Sequence, residues 1–364
     1  MTDVAVNVRV PRPRWLMPTE AYISPEWYQR ELTVVFGKTW QWVGTTSELP
    51  NVGSFFTVTV GHEPVLVTRT SDTTLGAYVN MCRHRGMALA CGAGEVDSTF
   101  RCPYHAWEFA LDGTLARVPQ RKSEFGDIDA EELGLVTVDI DTWQGQVFVN
   151  TGAEHETLAD YLADLPENLP PYPFESLTEL YRIDLPVQAN WKLVIENHID
   201  ILHLWYLHPW LNEHYDNPNY WHAFCGPHWA SSEMVRDGVE TPPMPFHPIP
   251  GLPPAEERTI RANLFFPNTA FNQHGNSTSV FRVVPTGPES CVMHIRFYGT
   301  GVDSIDEYVE GIMSLIRDED GWAAEQMQRT MHSSHWAVGP LAQRWEAPIE
   351  WFQTNLLALL DTEV

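Results

Sequence analysis

Several features that would assign this chain to a membrane, secreted or nucleic-acid-binding class are missing from its sequence. No stretch of about 18 apolar residues occurs, so we expect no transmembrane helix. The first residues lack the basic and apolar regions of a secretory signal. Basic residues are few, 22 against 48 acidic ones, and the net charge of −26 repels phosphate backbones and anionic membrane surfaces. We therefore expect a cytoplasmic protein that binds neither nucleic acid nor membranes.

Cysteine is also scarce. Five cysteines in 364 residues, an odd number without a secretory signal, argue against a disulfide framework. In a reducing compartment the thiols remain free, and their thiolates can bind metals. Tryptophan, in contrast, is abundant. The 15 Trp residues indicate a large buried aromatic surface or an aromatic-lined pocket.

The pattern along the chain predicts a small β domain within a larger α+β domain. A helical entry spans Pro18–Val43, and short β-type runs punctuated by Gly and Asp follow between Gly53 and Asn150. Seven prolines between Pro242 and Pro254 predict a loop, which could cover a pocket. Helices are predicted over 190–207, 305–331 and 347–360, and strands over 260–266, 280–284 and 292–298. We therefore expect an antiparallel sheet with a few long helices in the larger domain.

Two short segments in the β region each combine a cysteine with a histidine. Cys82 is followed by His84, and Cys102 is followed by His105. Zinc fingers normally separate a Cys pair from a His pair, whereas here each loop supplies one of each. The mixed arrangement suits a [2Fe–2S] cluster with two sulfur ligands on one iron and two imidazoles on the other. A structural zinc site is the alternative.

The residues around these ligands resemble a known motif. The segments 82–86 and 102–107, which read CRHRG and CPYHAW, resemble the Rieske iron–sulfur motif of the ring-hydroxylating oxygenase family. The resemblance implies that the cluster is bound by Cys82, His84, Cys102 and His105.

A second group of polar residues lies in the predicted helix 190–207. Glu196, Asp200 and His203 are spaced i, i+4 and i+7, so they share one face of an ideal helix. His208 would point about 140° away from His203 on such a helix. Pro209 disfavours the helical conformation at His208, so the chain should open there and let the imidazole turn inward. Two imidazoles with one carboxylate are the ligand set of non-haem Fe(II) oxygenases.

This segment also resembles the Rieske oxygenase family. The resemblance implies that His203 and His208 bind the iron, and that Asp200 is a bridging acid that connects His203 to His105 of a neighbouring subunit. It places Asp320 at the third ligand position.

Other interpretations of single residues remain open. Asp318 and Glu319 compete locally with Asp320, and the acidic cluster could also be a solvated helix face. Asn197, Trp205 and Tyr206 are candidate substrate contacts, although each aromatic residue taken alone fits the core as well.

The resemblance covers nearly the whole chain and implies an α+β fold. An all-β Rieske [2Fe–2S] domain over 43–152 is inserted in a helix-grip-like catalytic domain with an antiparallel sheet. Residues 1–42 form the N-terminal helical part of that catalytic domain, and 153–364 form the rest with the mononuclear iron. The C-terminal part looks like that of the compact members that work as homotrimers of α subunits alone.

The implied activity is incorporation of O₂ into a small-molecule substrate. Electrons come from NAD(P)H through a partner reductase, either a ferredoxin or a flavin/iron–sulfur protein. Our first choice of substrate is an aromatic or cyclic compound, because aromatic pockets suit flat ligands. The second choice is a small quaternary amine such as betaine, carnitine or choline, held by cation–π contacts. Proteins of other classes are the remaining alternatives, namely a Rieske electron carrier without oxygenase activity and a zinc-stabilised binding module.

Overall fold

A computed structural model describes residues 13–169, 173–209, 221–224, 228–235, 246–254, 256–303 and 305–361. The chain divides into two compact units. One consists of Gln29–Ala163 with Pro171–Thr178, and the other consists of Met1–Tyr28, Asp164–Pro170 and Glu179–Val364. The domain boundaries predicted at 43 and 152 both lie within the first of these units.

The first unit is built on β-sheets, as predicted. Its described strands are β1 Gln41–Thr45, β2 Ser54–Val60, β3 Glu63–Arg69, β4 Leu75–Val79, β5 Ala93–Glu95, β6 Thr99–Arg101, β7 Glu108–Ala110, β8 Leu115–Arg117, β9 Thr137–Trp143 and β10 Gln146–Asn150. Seven of them form a sheet in the order β1-β10-β9-β4-β3-β2-β5, and β6-β7-β8 form a smaller sheet. One apolar core lies among the strands, with Val65 and Val67 fully buried. A second apolar cluster contains Cys82 and Cys102, so the two predicted ligand loops are anchored in buried packing.

The second unit contains a larger sheet than the sequence predicted. Its strands are β11 Thr178–Val187, β12 Trp221–Phe224, β13 Trp229–Val235, β14 Thr259–Phe265, β15 Thr269–His274, β16 Ser277–Gly287 and β17 Ser290–Gly299. They are ordered β11-β17-β16-β15-β14-β13-β12, and the pairs from β12 to β17 are antiparallel. Sequence patterns found β14, β16 and β17 but not the other four. The part of the proline-rich loop before Phe246 lies outside the described residues.

The described helices are α1 Glu20–Ile23, α2 Pro25–Lys38, α3 Leu158–Leu162, α4 Leu165–Asn168, α5 Trp191–Ile199, α6 Leu204–Leu207, α7 Asp306–Met313, α8 Trp322–Thr330 and α9 Ala347–Asp361. A π-helical segment, Ser314–Gly321, connects α7 to α8. Helix α5 packs against the sheet at β14 and β16 and against α9, where the Trp191 and Phe352 rings meet edge to face at 5.8 Å. This packing of a long C-terminal helix and an antiparallel sheet confirms the predicted α+β fold. Within the described segments, every helix is too short or too polar to cross a bilayer.

The prediction of a single helix over 190–207 is wrong in one respect. The structure has two helices there, with a break between them. Asp200 adopts an extended conformation with φ −77° and ψ 117°, and α6 begins only at Leu204. Oδ1 of Asp200 accepts a hydrogen bond from the backbone N–H of Leu202 at 2.7 Å, a local turn that competes with the helix. Glu196 therefore does not share a face with the downstream residues. It is buried and accepts a hydrogen bond from the Tyr22 hydroxyl at 2.7 Å.

Candidate metal centres

The two loops of the first candidate centre have the same local backbone geometry. The N–H of Cys82 donates to the carbonyl of Met87 at 2.8 Å, and the N–H of Gly86 donates back to the carbonyl of Cys82 at 2.9 Å. In the second loop, Cys102, Ala106 and Trp107 make the same two bonds, at 2.8 and 3.0 Å. The turns need left-handed backbone, with φ +74° at Gly86 and +55° at Ala106. Each loop therefore presents its cysteine and histidine from an equivalent tight turn.

The four predicted cluster ligands come together. Both cysteines are free thiols with 2% exposure, and the side chains of Cys82 and Cys102 are within hydrogen-bond reach of each other. The rings of His84 and His105 lie 4.6 Å apart between centroids. Nδ1 of His84 is buried without a hydrogen-bond partner among the described residues. Two adjacent sulfurs beside two adjacent imidazoles, with a ring nitrogen left over, fit the donor set of a Rieske cluster.

Electrostatics at this centre act differently on Cys82 and His84. Burial raises the pKa of the Cys82 thiol, and neighbouring Cys102 raises it further, so the Cys82 thiol needs a nearby positive charge to ionise. Burial, with contributions from His105 and Arg85, lowers the pKa of His84 and keeps that imidazole neutral. A neutral imidazole and a thiolate are the forms that ligate iron.

In the second centre three side chains converge on one point. Nε2 of His203 lies 3.1 Å from Nε2 of His208, and Oδ1 of Asp320 lies 3.4 and 3.1 Å from these two nitrogens. Ligands at about 2.1 Å from one metal and at right angles to each other are about 3 Å apart. Oδ1 of Asp320 is buried without a hydrogen bond in the described structure. The three donor atoms therefore fit one face of a metal's coordination sphere.

Each of these residues owes its position to an irregular piece of backbone. His203 caps the start of the short helix α6, and His208 follows the end of α6 with φ −113° and ψ 79°. That opening of the chain before Pro209 agrees with the sequence prediction. Asp320 lies in the π-helical segment, a local distortion that often marks functional sites.

A carboxylate also lies beside the Nδ1 atom of each of the two histidines. Oδ2 of Asp200 lies 3.6 Å from Nδ1 of His203, which is an ion-pair distance and too long for a hydrogen bond. Oε2 of Glu319 lies 2.5 Å from Nδ1 of His208. Asp318, the other predicted competitor of Asp320, is half-exposed and pairs with Arg317 instead.

This carboxylate shell favours a cation between the imidazoles. Burial alone would lower the pKa of His203, but Asp200 and Asp320 outweigh it and raise the pKa to about 9. Burial alone would raise the pKa of Asp320, but His203 and His208 hold it below its usual value. The same carboxylates would stabilise a metal cation bound between the imidazoles.

A cavity of about 170 Å³ adjoins the three donor atoms. A water molecule needs about 10–15 Å³ of such space, so the cavity has room for a molecule of about ten non-hydrogen atoms. Most of its wall is apolar or aromatic, and it includes Phe281, Phe297 and Tyr308. Asn197, a predicted substrate contact, lines the cavity together with His198. Burial lowers the pKa of His198 to about 4, so this imidazole is neutral.

The other two predicted substrate contacts lie elsewhere. Trp205 packs edge to face on Trp345 with ring centroids 4.4 Å apart, and Tyr206 is 81% exposed. Neither belongs to the cavity wall formed by the described residues.

Sequence reasoning also missed three polar residues in the cavity wall. Asn272, His274 and Ser279 line it from β15 and β16. Knowing that β15 faces the cavity would identify these residues, but its residue pattern carries no signal for a strand.

Comparisons with known proteins agree with both centres. Residues 39–142 match the Rieske [2Fe–2S] domain, and residues 174–362 match the catalytic domain of the ring-hydroxylating α subunit. The glycine betaine monooxygenase oxygenase subunit of Chromohalobacter salexigens is 28% identical, over 95% of this chain and 87% of the relative. The carnitine monooxygenase oxygenase subunit of Escherichia coli is 27% identical, over 89% of this chain and 86% of the relative.

Solved structures show the same similarity. The quaternary ammonium Rieske monooxygenase CntA in complex with L-carnitine superposes with a TM-score of 0.83, at 26% identity and 96% coverage of both chains. Naphthalene 1,2-dioxygenase from Rhodococcus sp. shares the fold with a TM-score of 0.76 at 21% identity, over 96% of this chain and 95% of that one. The catalytic-domain match alone spans more than half of the sequence. The chain therefore belongs to the ring-hydroxylating α-subunit family of Rieske non-haem iron oxygenases, which carry a [2Fe–2S] cluster and a mononuclear iron.

Proposed function

We propose that this protein is the oxygenase component of a monooxygenase that hydroxylates a small quaternary amine. The main support is the cavity beside His203, His208 and Asp320, whose size and apolar, aromatic wall suit a compact alkylated ligand. The sequence alone favoured an aromatic or cyclic substrate, with a quaternary amine second. The named relatives that act on glycine betaine and carnitine favour the second choice.

In this proposal, Cys82, His84, Cys102 and His105 hold the cluster, while His203, His208 and Asp320 hold the mononuclear iron. When bound, the cluster supplies single electrons and the iron supplies the reductive activation of O₂. Oxygenases of this family work with a separate reductase. We propose a ferredoxin or a flavin/iron–sulfur protein that draws on NAD(P)H.

The chain's own residues bind and orient the substrate. Phe281, Phe297 and Tyr308 offer aromatic faces to a trimethylammonium group, whose methyl surface is apolar and whose charge is attracted by the rings. The net charge of −26 favours the approach of a cation. Hydroxylation of a carbon bonded to nitrogen gives an adduct that collapses, so the net outcome at such a position is dealkylation.

Asp200 has a proposed role in electron supply. Its carboxylate lies beside Nδ1 of His203, on the side away from the three donor atoms. We propose that the same carboxylate meets the partner subunit's His105, in a homotrimer in which each cluster serves the neighbouring iron. Asp200 would thereby connect the two centres through a single residue.

A flat aromatic substrate is the second candidate, because Phe281 and Phe297 could also stack on a ring. A Rieske electron carrier without oxygenase activity would have no need for the convergent trio of His203, His208 and Asp320.

The proposal is tested with anaerobically purified protein, a compatible reductase, NADH and O₂. The panel contains choline, glycine betaine and carnitine, the neutral carbon isostere of choline (3,3-dimethylbutanol), and naphthalene. We expect only an amine to cause consumption of NADH and O₂ and to yield a hydroxylated or dealkylated product. Equal turnover of choline and its neutral isostere, or turnover of naphthalene alone, would overturn the proposal.

A further inference from the structure

Two polar residues, Asn272 and Ser279, lie side by side in the part of the cavity wall that the sheet forms. Asn272 on β15 pairs in register with Ala262 on one side and with Ser279 on the other, and Ser279 pairs with Phe297. Residues in one such cross-strand row point to the same face of a sheet. All four line the cavity, so this row forms part of its floor.

Asn272 differs from the rest of this floor because part of its side chain has no partner. Its Oδ1 is buried without a hydrogen bond among the described residues, and the residue is 6% exposed. Only three residues of the described cavity wall carry such an atom. The other two are Asp320, whose Oδ1 faces the proposed iron site, and His203, whose Nδ1 lies beside Asp200. Ser279, in contrast, already contacts Nε2 of His274 at 3.4 Å. The unpaired oxygen of Asn272 is therefore the polar atom of the cavity floor that binding of iron would not satisfy.

An unpaired buried acceptor is costly, so a ligand that fills this cavity should bring the missing donor. A hydroxyl or an N–H group satisfies the carboxamide oxygen, whereas an ionised carboxylate has only acceptors and brings no donor. Arg261 is the only Lys or Arg side chain in the described cavity wall, and it is already held by Glu233 at 2.7 Å and by Glu256. The described wall therefore offers no unpaired Lys or Arg side chain to a carboxylate.

We propose that Asn272 determines substrate specificity by accepting a hydrogen bond from the substrate. The preferred substrate is then a small alkylated amine that carries a hydroxyl or N–H donor and no carboxylate, as an amino alcohol such as choline does. This inference rests on the proposed function and narrows it.

The test measures equilibrium binding to the holoenzyme by calorimetry, without turnover. The ligands are choline, its O-methyl ether, which lacks the donor, and glycine betaine, which has a carboxylate instead. Asn272→Leu removes the acceptor and keeps the branched shape of the side chain. Asn272→Asp keeps an acceptor. Gln273→Met is the control, because Gln273 is equally buried and comes from the next position of β15, which faces the other side of the sheet.

In the wild type and in Gln273→Met, we expect choline to bind at least about tenfold more tightly than its ether and than glycine betaine. Asn272→Leu should lose the preference over the ether, and Asn272→Asp should keep it. The cluster absorption spectrum and thermal unfolding verify that each variant is folded. Tighter binding of glycine betaine than of choline, or an unchanged preference in Asn272→Leu, would overturn the role of Asn272 while leaving the amine substrate intact. Binding of none of the three amines would overturn the proposed function, and this inference with it.

Discussion

Removal of the Glu319 carboxylate should weaken iron binding although Glu319 is not one of the proposed ligands. Its Oε2 lies 2.5 Å from Nδ1 of His208, whose side chain is only 1% exposed. Glu319→Ala leaves this buried N–H without its acceptor, at a cost of about 1–3 kcal/mol. Because about 1.4 kcal/mol corresponds to a factor of ten, we expect Fe(II) affinity to fall by about 10- to 100-fold, as is typical of partners that orient a ligand.

A second substitution separates the hydrogen bond from the charge. Glu319→Gln keeps an oxygen that can accept from His208 but removes the negative charge. The Glu319 side chain is 30% exposed, so water already screens part of that charge. We therefore expect Glu319→Gln to bind Fe(II) more tightly than Glu319→Ala and less tightly than the wild type.

Fe(II) titration measures these differences in protein whose mononuclear iron has been removed by a mild chelator. The cluster absorption, recorded in parallel, verifies that the first centre is intact. Asp318→Asn is the matched control, because Asp318 is adjacent in sequence but 49% exposed and paired with Arg317. If Glu319→Ala takes up iron as the wild type does, or if Asp318→Asn is equally impaired, Glu319 does not orient His208.

Three further predictions concern other parts of the chain. Asp200→Asn should leave the cluster reducible by the reductase while product formation falls by about 100-fold. Stopped-flow spectroscopy measures cluster reduction and product analysis measures turnover, and retained turnover would place the electron route elsewhere. Gly86→Ala should destabilise the β unit by about 1 kcal/mol and Ala106→Gly should stabilise it by a similar amount, because both positions have left-handed backbone. Thermal unfolding of both variants checks that the two changes in stability have opposite signs. Gln353→Leu should cost about 1.5–3 kcal/mol in urea unfolding, because it removes the 2.8 Å hydrogen bond to the buried carboxylate of Glu196; a change below about 0.5 kcal/mol would show that this hydrogen bond contributes little.

The first centre was predictable from sequence because its determinants are local. Each loop carries one cysteine and one histidine within four residues, and each closes on itself through backbone hydrogen bonds between Cys82 and Met87 or between Cys102 and Trp107. Such turns depend little on distant parts of the chain. The residue pattern therefore predicted which loops and side chains form the candidate cluster site.

The second centre was predictable only in part. The spacing of His203 and His208 before Pro209 correctly predicted an opening of the chain, but the break at Asp200 was not foreseen. That break depends on the Asp200 side chain and on a hydrogen bond from Ile201 N–H to the carbonyl of Trp345 at 3.1 Å, which comes from a distant segment. Hydrophobic periodicity carries no information about such a contact.

Strand β15 was missed for a different physical reason. Its C-terminal residues Asn272, Gln273 and His274 are polar on both faces, yet Asn272 and Gln273 are buried. A strand is recognised in sequence by alternation of apolar and polar residues, and a strand that presents polar groups to a cavity does not show it. The residues that we expect to select the substrate were therefore those that the pattern concealed.

Metal analysis of the wild type and of His208→Ala, both purified anaerobically, tests the central claim most directly. We expect about three irons per chain in the wild type and about two in the variant, with the Rieske spectrum unchanged. Loss of His208 should thus empty the mononuclear site and spare the cluster. Zinc in place of iron, or an equal iron content in both proteins, would contradict the account of two separate iron centres.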